Sequence, residues 1–249
     1  MQRRRFYATP DQIGDGRIRL STSETNHLLR VLRMKPGDEA FVFDGNGREL
    51  RCLFSSLESD RAVLEIIDEL SNPVESPIRI TLAQALVKGD KFELIVQKAT
   101  ELGVTGIVPL ITQNADVRPI EERTGRRVDR WRRVSLEALK QCGRRTLVDV
   151  ATPRPLRDFL RETNAAAGRV VLSFTESGGG PIAEVLRGAS PSEVVAVIGP
   201  EGGWSNDEVD LFIEASANLV SLGPRVLRTE TAAIAAIALI QNHAGDVSR

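Results

Sequence analysis

From Ile78 to the C-terminus, short runs rich in Val, Ile and Leu alternate with helical patterns, and this rhythm restricts the possible folds more than any other feature. The runs are Ile78 to Ala85, Val104 to Ile111, Val170 to Phe174, Val194 to Ile198 and Leu219 to Leu222. Helical stretches cover Lys91 to Leu102, Arg127 to Cys142 and Thr231 to His243. The alternation implies an α/β domain with a mostly parallel sheet covered by helices. In Arg127 to Cys142, the residues Trp131, Val134, Leu136 and Leu139 offer a buried stripe that leaves the arginines outside. The last helix is apolar on nearly every side from Ala232 through Ile240, so its own domain or a second subunit must cover it.

The first 72 residues read differently. Glu39 to Phe43 and Arg48 to Phe54 flank Asp44-Gly45-Asn46-Gly47, and Arg61 to Ile67 follows after a polar turn, which makes a small β-rich domain. A helical piece from Thr22 to Leu32, capped by Ser21, Thr22 or Ser23, ends before the turn signal Lys35-Pro36-Gly37. Ser71 to Pro77 carries two prolines and suits a stiff linker, so the expected domains are residues 1–72 and 73–249.

A net charge of −1 hides an asymmetry: Arg118 to Arg145 holds ten Lys and Arg against four Asp and Glu, whereas residues 147–249 hold eight against thirteen. With the Arg3-Arg4-Arg5 arm beside Phe6 and Tyr7, this resembles a phosphate-facing surface, although a basic run is also an ordinary solvated helix face. No run approaches the roughly twenty apolar residues of a membrane span, and the N-terminus lacks the apolar segment of a signal peptide, so a cytoplasmic protein is expected. Cys52 and Cys142 stand apart from each other and from histidines at ligand spacing, which indicates neither a disulfide nor a metal site. Neither G-x-G-x-x-G at a strand-to-helix turn nor G-x-x-x-x-G-K-[ST] occurs. With only His27 and His243, proton transfer falls to carboxylates, lysine, ligand or solvent.

Two junctions remain, Ile198-Gly199-Pro200-Glu201-Gly202-Gly203-Trp204-Ser205 and Leu222-Gly223-Pro224-Arg225-Val226-Leu227-Arg228-Thr229-Glu230-Thr231. Each follows an apolar strand and leads into a helix with a polar cap, Ser205 or Thr229, and open α/β sheets bind ligands at such strand ends. Gly199, Gly202 and Gly203 allow positive φ and close approach, while Pro200 and Pro224 restrict the loops; a flat, partly apolar ligand such as adenine suits them. One Gly-Gly pair alone is a tight turn. Two such loops with Arg225, Arg228 and Glu230 weigh against turns alone and towards a site. Ser205-Asn206-Asp207-Glu208 is a capping box that starts a helix.

Together these two segments resemble the signature of the RsmE family of SPOUT-class RNA methyltransferases. The similarity continues in Lys88-Gly89-Asp90-Lys91, Gln97 to Val104, Pro109-Leu110 and Gln141-Cys142-Gly143-Arg144, and covers essentially the whole chain. Arg4-Arg5-Phe6-Tyr7, His27 to Arg33 and Phe43-Asp44-Gly45 resemble the family's PUA-like RNA-binding module. The resemblance implies an S-adenosylmethionine-dependent enzyme that methylates N3 of a uridine in 16S rRNA of the small ribosomal subunit. It further implies a homodimer with a deep trefoil knot in the C-terminal domain and a PUA-like barrel in the N-terminal one.

The implied cofactor loops hold Ser173, Phe174, Thr175 and Glu176, then Ile198, Gly199, Pro200, Glu201, Gly202 and Gly203, then Leu222, Gly223, Pro224, Val226 and Leu227, with Thr231 and Ala232 beyond. Arg225 or Arg228 would stabilise negative charge on the uracil oxygens, and Glu201 or Glu230 would accept the N3 proton. The structural alternatives are a dipole-stabilising Glu230 and an Arg228–Glu230 ion pair. Arg3, Arg4, Arg5, Arg30, Arg33 and Arg144 would hold RNA phosphates, with Tyr7 or Phe6 stacking on a base. Three other readings stay open at this level: a related SPOUT ribose 2′-O-methyltransferase, a non-catalytic RNA-binding assembly factor, and a nucleotide-binding metabolic enzyme.

Overall fold

The computed structural model describes residues 3–71, 74–115, 117, 121–163, 168–176, 178–189 and 191–247. The expected boundary between Asn72 and Pro73, and Ser177 beside the first loop, lie outside the described residues. Contacts divide the chain into one unit of residues 1–75 with 139–147, and a second of residues 76–138 with 148–249.

The first unit is built on β1 (Arg5–Tyr7), β2 (Ile13–Gly14), β3 (Arg17–Arg19), β4 (Glu39–Phe43), β5 (Glu49–Glu58) and β6 (Arg61–Glu69). They form one sheet in the order β1-β4-β5-β6-β3-β2, antiparallel except for the β1–β4 pair. The β4–β5 turn is set by Asp44, whose Oδ1 accepts from the N–H groups of Asn46 at 2.8 Å and Arg48 at 3.1 Å. Phe6, Ile18, Leu20, Leu28, Val42, Phe54 and Leu64 fill the core. Phe6 is therefore a core residue and not a stacking platform. The expected helix from Thr22 is α1 (Thr22–Asn26), capped by the Ser21 hydroxyl, and it widens into a π-helical stretch over His27–Val31. Cys52 is buried in this core, and burial pushes its thiol up to about 12.

The second unit contains β7 (Arg79–Ala85), α2 (Lys91–Glu101), β8 (Gly106–Ile111), α3 (Glu121–Cys142), β9 (Asp149–Val150), β10 (Arg154–Pro155), α4 (Leu156–Thr163), β11 (Arg169–Phe174), β12 (Gly180–Pro181), α5 (Ile182–Ala189), β13 (Glu193–Ile198), α6 (Asn206–Glu214), β14 (Asn218–Ser221) and α7 (Thr229–Ala244). The last turn of α3 counts with the first unit. The sheet runs β10-β8-β7-β13-β11-β14-β12 with β9 on β8, and every pairing is parallel. All five expected runs match strands to within one or two residues. The helices α4 and α5 and the two-residue strands carry no comparable signal, because elements this short show too little periodicity to read.

One local expectation is corrected, for α3, and that for the last helix is met within its own unit. The buried face of α3 is Val128, Trp131, Ser135, Ala138 and Leu139, because the helix turns Val134 and Leu136 only partly inward. In α7, Ala233, Ala236, Ile237 and Ile240 are buried, and α2, α5, β7 and β13 pack against the helix. Among the described residues no helix is long and apolar enough to cross a membrane, and no group of His, Cys, Asp and Glu could hold a metal ion.

Candidate active site

In the parallel sheet β11 lies between β13 and β14, with Ser173 in register with both Val197 and Leu219. Parallel strands end on one edge, so the segments that follow β13, β11 and β14 are neighbours there. They enclose a cavity of about 700 Å³ whose walls include Phe174, Ile198, Leu219, Leu222, Val226 and Leu227. Thr175, Gly199, Pro200, Glu201, Gly202, Gly203, Gly223, Arg225, Arg228 and Ala232 complete most of the lining. A mostly apolar cleft of this volume, edged by exposed backbone, fits a purine-bearing small molecule.

Three of the expected cofactor residues stand outside the lining. Ser173 is fully buried within the sheet, while Pro224 and Thr231 lie exposed on the segment around the third loop. The cavity also uses Gly178, Trp204, Val209, Leu219 and Thr229, which were not expected to hold the cofactor, and Glu176 lines it at the end of the first loop. Trp204 directly follows the Gly202-Gly203 pair, and an aromatic residue at that position was the available signal. Its indole N–H donates to the Phe174 carbonyl at 2.9 Å, joining the first loop to the second.

The glycines act differently from expectation. Only Gly203 (φ 67°) and Gly223 (φ 101°) have positive φ in these two loops. At Gly199 a Cβ would stand 3.1 Å from the Trp204 ring, and at Gly202 it would stand 3.1 Å from Asn114, so close packing excludes larger side chains.

The carbonyls of the second loop are held from outside it. Asn114 Nδ2 donates to Gly202 O at 3.3 Å and Gly203 O at 3.2 Å, and the Gly203 N–H donates to Pro200 O at 3.1 Å. Thr229 does not cap α7. Arg228 occupies the cap position, and the buried Thr229 hydroxyl donates to Gly199 O at 2.7 Å while accepting from Gln84 Nε2 at 3.0 Å. Thr229 thereby ties the start of α7 to the end of β13, and Gln84 joins it to β7. Thr229→Val keeps the shape and leaves both partners unsatisfied, so it is expected to lower stability by about 1–3 kcal/mol in denaturant titrations. Ser205 and Glu208 form the expected capping box at α6, and Glu208 also accepts from the Gln113 N–H at 2.8 Å.

Charge gathers at the rim. Arg225 and Arg228 are exposed and line the cavity. Among the described residues Arg228 forms no ion pair with Glu230, which sits in the first turn of α7 with one carboxylate oxygen buried and unpartnered. Glu201 Oε1 is 2.8 Å from Lys91 Nζ, a residue at the first turn of α2. The hydrogen bond to Glu201 raises the Lys91 ammonium pKa above its usual value, and the charges of Glu201, Glu230 and Arg228 also act on it.

In the first unit the expected phosphate-binding arginines separate into two groups. Arg5 and Arg144 are buried and spent on structure, so both are corrected. Arg5 Nε donates to Glu49 at 2.6 Å and its other nitrogens donate to the carbonyls of Leu139 and Arg144, while Arg144 Nε donates to Glu75 at 2.9 Å. Arg3, Arg4, Arg30 and Arg33 are more accessible. Arg4 pairs with Asp38 at 3.0 Å, whose carboxyl is held low first by the Lys35 N–H and then by Arg4. Arg30 and Arg33 have no ion pair among the described residues. Tyr7 is half-buried against Phe43, and burial raises its phenol pKa.

The sequence pattern of the RNA methyltransferase domain matches residues 74–241, and that of the RNA methyltransferase PUA domain matches residues 20–67. The chain is 34% identical over 95% of its length to a Synechocystis protein named ribosomal RNA small subunit methyltransferase E, covering 76% of that relative. A Bacillus subtilis protein of the same name is 30% identical, with 96% of each chain covered. The solved ribosomal RNA small subunit methyltransferase E from Neisseria gonorrhoeae, bound to S-adenosyl methionine, is similar with a TM-score of 0.89 and 34% identity, covering 98% of this chain and 99% of that one. A methyltransferase from Legionella pneumophila in complex with S-adenosylmethionine has a TM-score of 0.90 and 32% identity, covering 99% and 100%.

Proposed function

Because this chain belongs to the RNA methyltransferase family and is an S-adenosylmethionine-dependent rRNA methyltransferase, we propose that its product is a uridine methylated at N3 in 16S ribosomal RNA. The observation that carries the reading is the placement of Arg225, Arg228 and Glu201 on the rim of a backbone-lined cavity at the ends of β13, β11 and β14.

The cavity walls fit the cofactor: the apolar faces of Ile198, Leu222 and Leu227 suit an adenine, and the glycine backbone admits it closely. Bound S-adenosylmethionine supplies an electrophilic methyl on a sulfonium sulfur. Uracil N3 becomes nucleophilic only when its proton leaves. Glu201 lines the cavity and Glu230 does not, so Glu201 is the proton acceptor and Glu230 serves the α7 dipole. Arg228, with Arg225 beside it, stabilises the negative charge left on the uracil oxygens.

In this reading residues 1–72 are a PUA-like RNA-binding domain and residues 73–249 a SPOUT methyltransferase domain. A trefoil knot in the second is supported by the strand order, since the chain reaches β13 only after β11 and β12 yet inserts it between β7 and β11. The half-buried Ile234 and Ala238 and the exposed Leu239 on α7 support a homodimer interface. The partner is 16S rRNA or the small ribosomal subunit, met in the cytoplasm. Phosphate contacts fall to Arg3, Arg4, Arg30 and Arg33.

Labelled S-adenosylmethionine and small subunits from a strain lacking the enzyme test the reading. The expected result is a methyl group on N3 of one uridine, located by nucleoside digestion and primer extension. A ribose 2′-O-methyl product would replace it with the related SPOUT activity, and RNA binding without transfer would make the protein an assembly factor.

A further inference from the structure

Lys91 comes from outside the three loops, and no part of the mechanism above uses it. We propose that Lys91 is a catalytic residue whose ammonium exchanges counter-ions during the reaction, from the Glu201 carboxylate to an oxygen of the uracil anion. The inference rests on N3 methylation of uridine as the reaction.

Three observations support it. Lys91 Nζ lies 2.8 Å from Oε1 of Glu201, which lines the cavity, and the two side chains are 39% and 34% exposed, so the ammonium stands open to solvent beside the cavity wall. The acidic neighbours of Lys91 on α2 are engaged elsewhere: Arg130 takes Asp90 at 3.6 Å and Glu93 at 2.7 Å. Lys91 is also within electrostatic range of Arg228, the cation already assigned to the reacting base.

The chemistry follows from the direction of the N3–H bond. The proton and the incoming methyl share one in-plane direction at N3, so the proton has to leave first. It passes to Glu201, which becomes neutral, and the electron pair of the broken N–H bond stays on N3. Lys91 has then lost its counter-ion just as the uracil oxygens have gained charge, and it pairs with one of them while Arg228 pairs with the other. The N3 pair next forms the N–CH3 bond as the S–CH3 bond breaks, and that bond's pair remains on the sulfur. Cytosine N3 has no proton to give and acquires positive charge on methylation, so two cations at its edge oppose the reaction. The same arrangement that accelerates uridine therefore selects it.

Lys91→Met tests this with RNA carrying uridine, 5-fluorouridine or cytidine at the target position. Removing one preorganised donor is expected to lower kcat on uridine about 100-fold. The melting temperature and the S-adenosylmethionine Kd should stay at wild-type values, and Lys91→Arg should recover much of the rate. The decisive readout is 5-fluorouridine, whose N3 is more acidic: it should restore Lys91→Met far more than it accelerates the wild type, because a more stable anion needs less help. Discrimination against cytidine should also narrow. Equal losses on uridine and 5-fluorouridine, or unimpaired turnover, would overturn the assignment of Lys91. A wild-type enzyme that leaves uridine N3 unmodified would instead overturn the reading on which it rests.

Discussion

Arg228→Ala is expected to reduce methyl transfer about 100- to 1000-fold while leaving S-adenosylmethionine affinity within a few-fold of wild type. The guanidinium is exposed at the cavity edge and holds no ion pair with Glu230, so its removal strands no buried carboxylate and opens no core. Its backbone caps α7 whatever the side chain, because the cap geometry (φ −63°, ψ 148°) is open to alanine and no side-chain hydrogen bond is made there. The loss should therefore appear in kcat and not in stability. Calorimetric titration of the cofactor and single-turnover transfer to small subunits separate the two effects. Unchanged turnover would remove Arg228 from the mechanism and leave Arg225 as the cation at the uracil oxygens.

Arg5→Met is expected to destabilise the N-terminal unit by about 3–5 kcal/mol, a loss large enough to unfold it at moderate denaturant. The substitution leaves Glu49, with its side chain only 2% exposed, to Arg145 at 3.2 Å and the distant Arg3 at 3.7 Å. The carbonyls of Leu139 and Arg144 lose their donor as well, and the Phe43 ring loses the cation stacked 4.8 Å from its centre. Arg3→Met is the control: its side chain is 53% exposed, and it should change stability little while weakening RNA binding. Urea titrations followed by far-UV circular dichroism distinguish the pair. Equal stability of the two variants would return Arg5 to the RNA-binding surface.

These two arginines show where sequence reading stops. Arg3, Arg4 and Arg5 look alike in a basic run, and the run by itself suggests an exposed arm. In the fold β1 pairs with β4 in parallel, with Arg5 beside Phe41, and this register turns Arg5 under the sheet beside Glu49. Arg144 reads equally well as a phosphate contact, yet Glu75, distant in sequence, claims it. Charge in a sequence has no sign of burial attached to it. The site shows the same division: the glycine loops that line the cavity are visible as strand-to-helix junctions, but Ser173 was placed there too and is buried in the sheet.

What the chain specifies locally is the alternation of strands and helices, the capping box at Ser205 and the loops at Gly199 and Gly223, since each depends on neighbours a few residues away. Strand order was decided only by tertiary structure, because a parallel strand carries no mark of its partner and β11 meets β13 and β14 through long connections. That order brings the loops together and creates the cavity. It also carries Lys91 to Glu201 across 110 residues, and Thr229 to Gly199 in place of the helix cap its position suggested. Periodicity is a property of adjacent residues, whereas the partners of a charged or hydroxyl side chain are chosen by whatever the packed fold sets beside it.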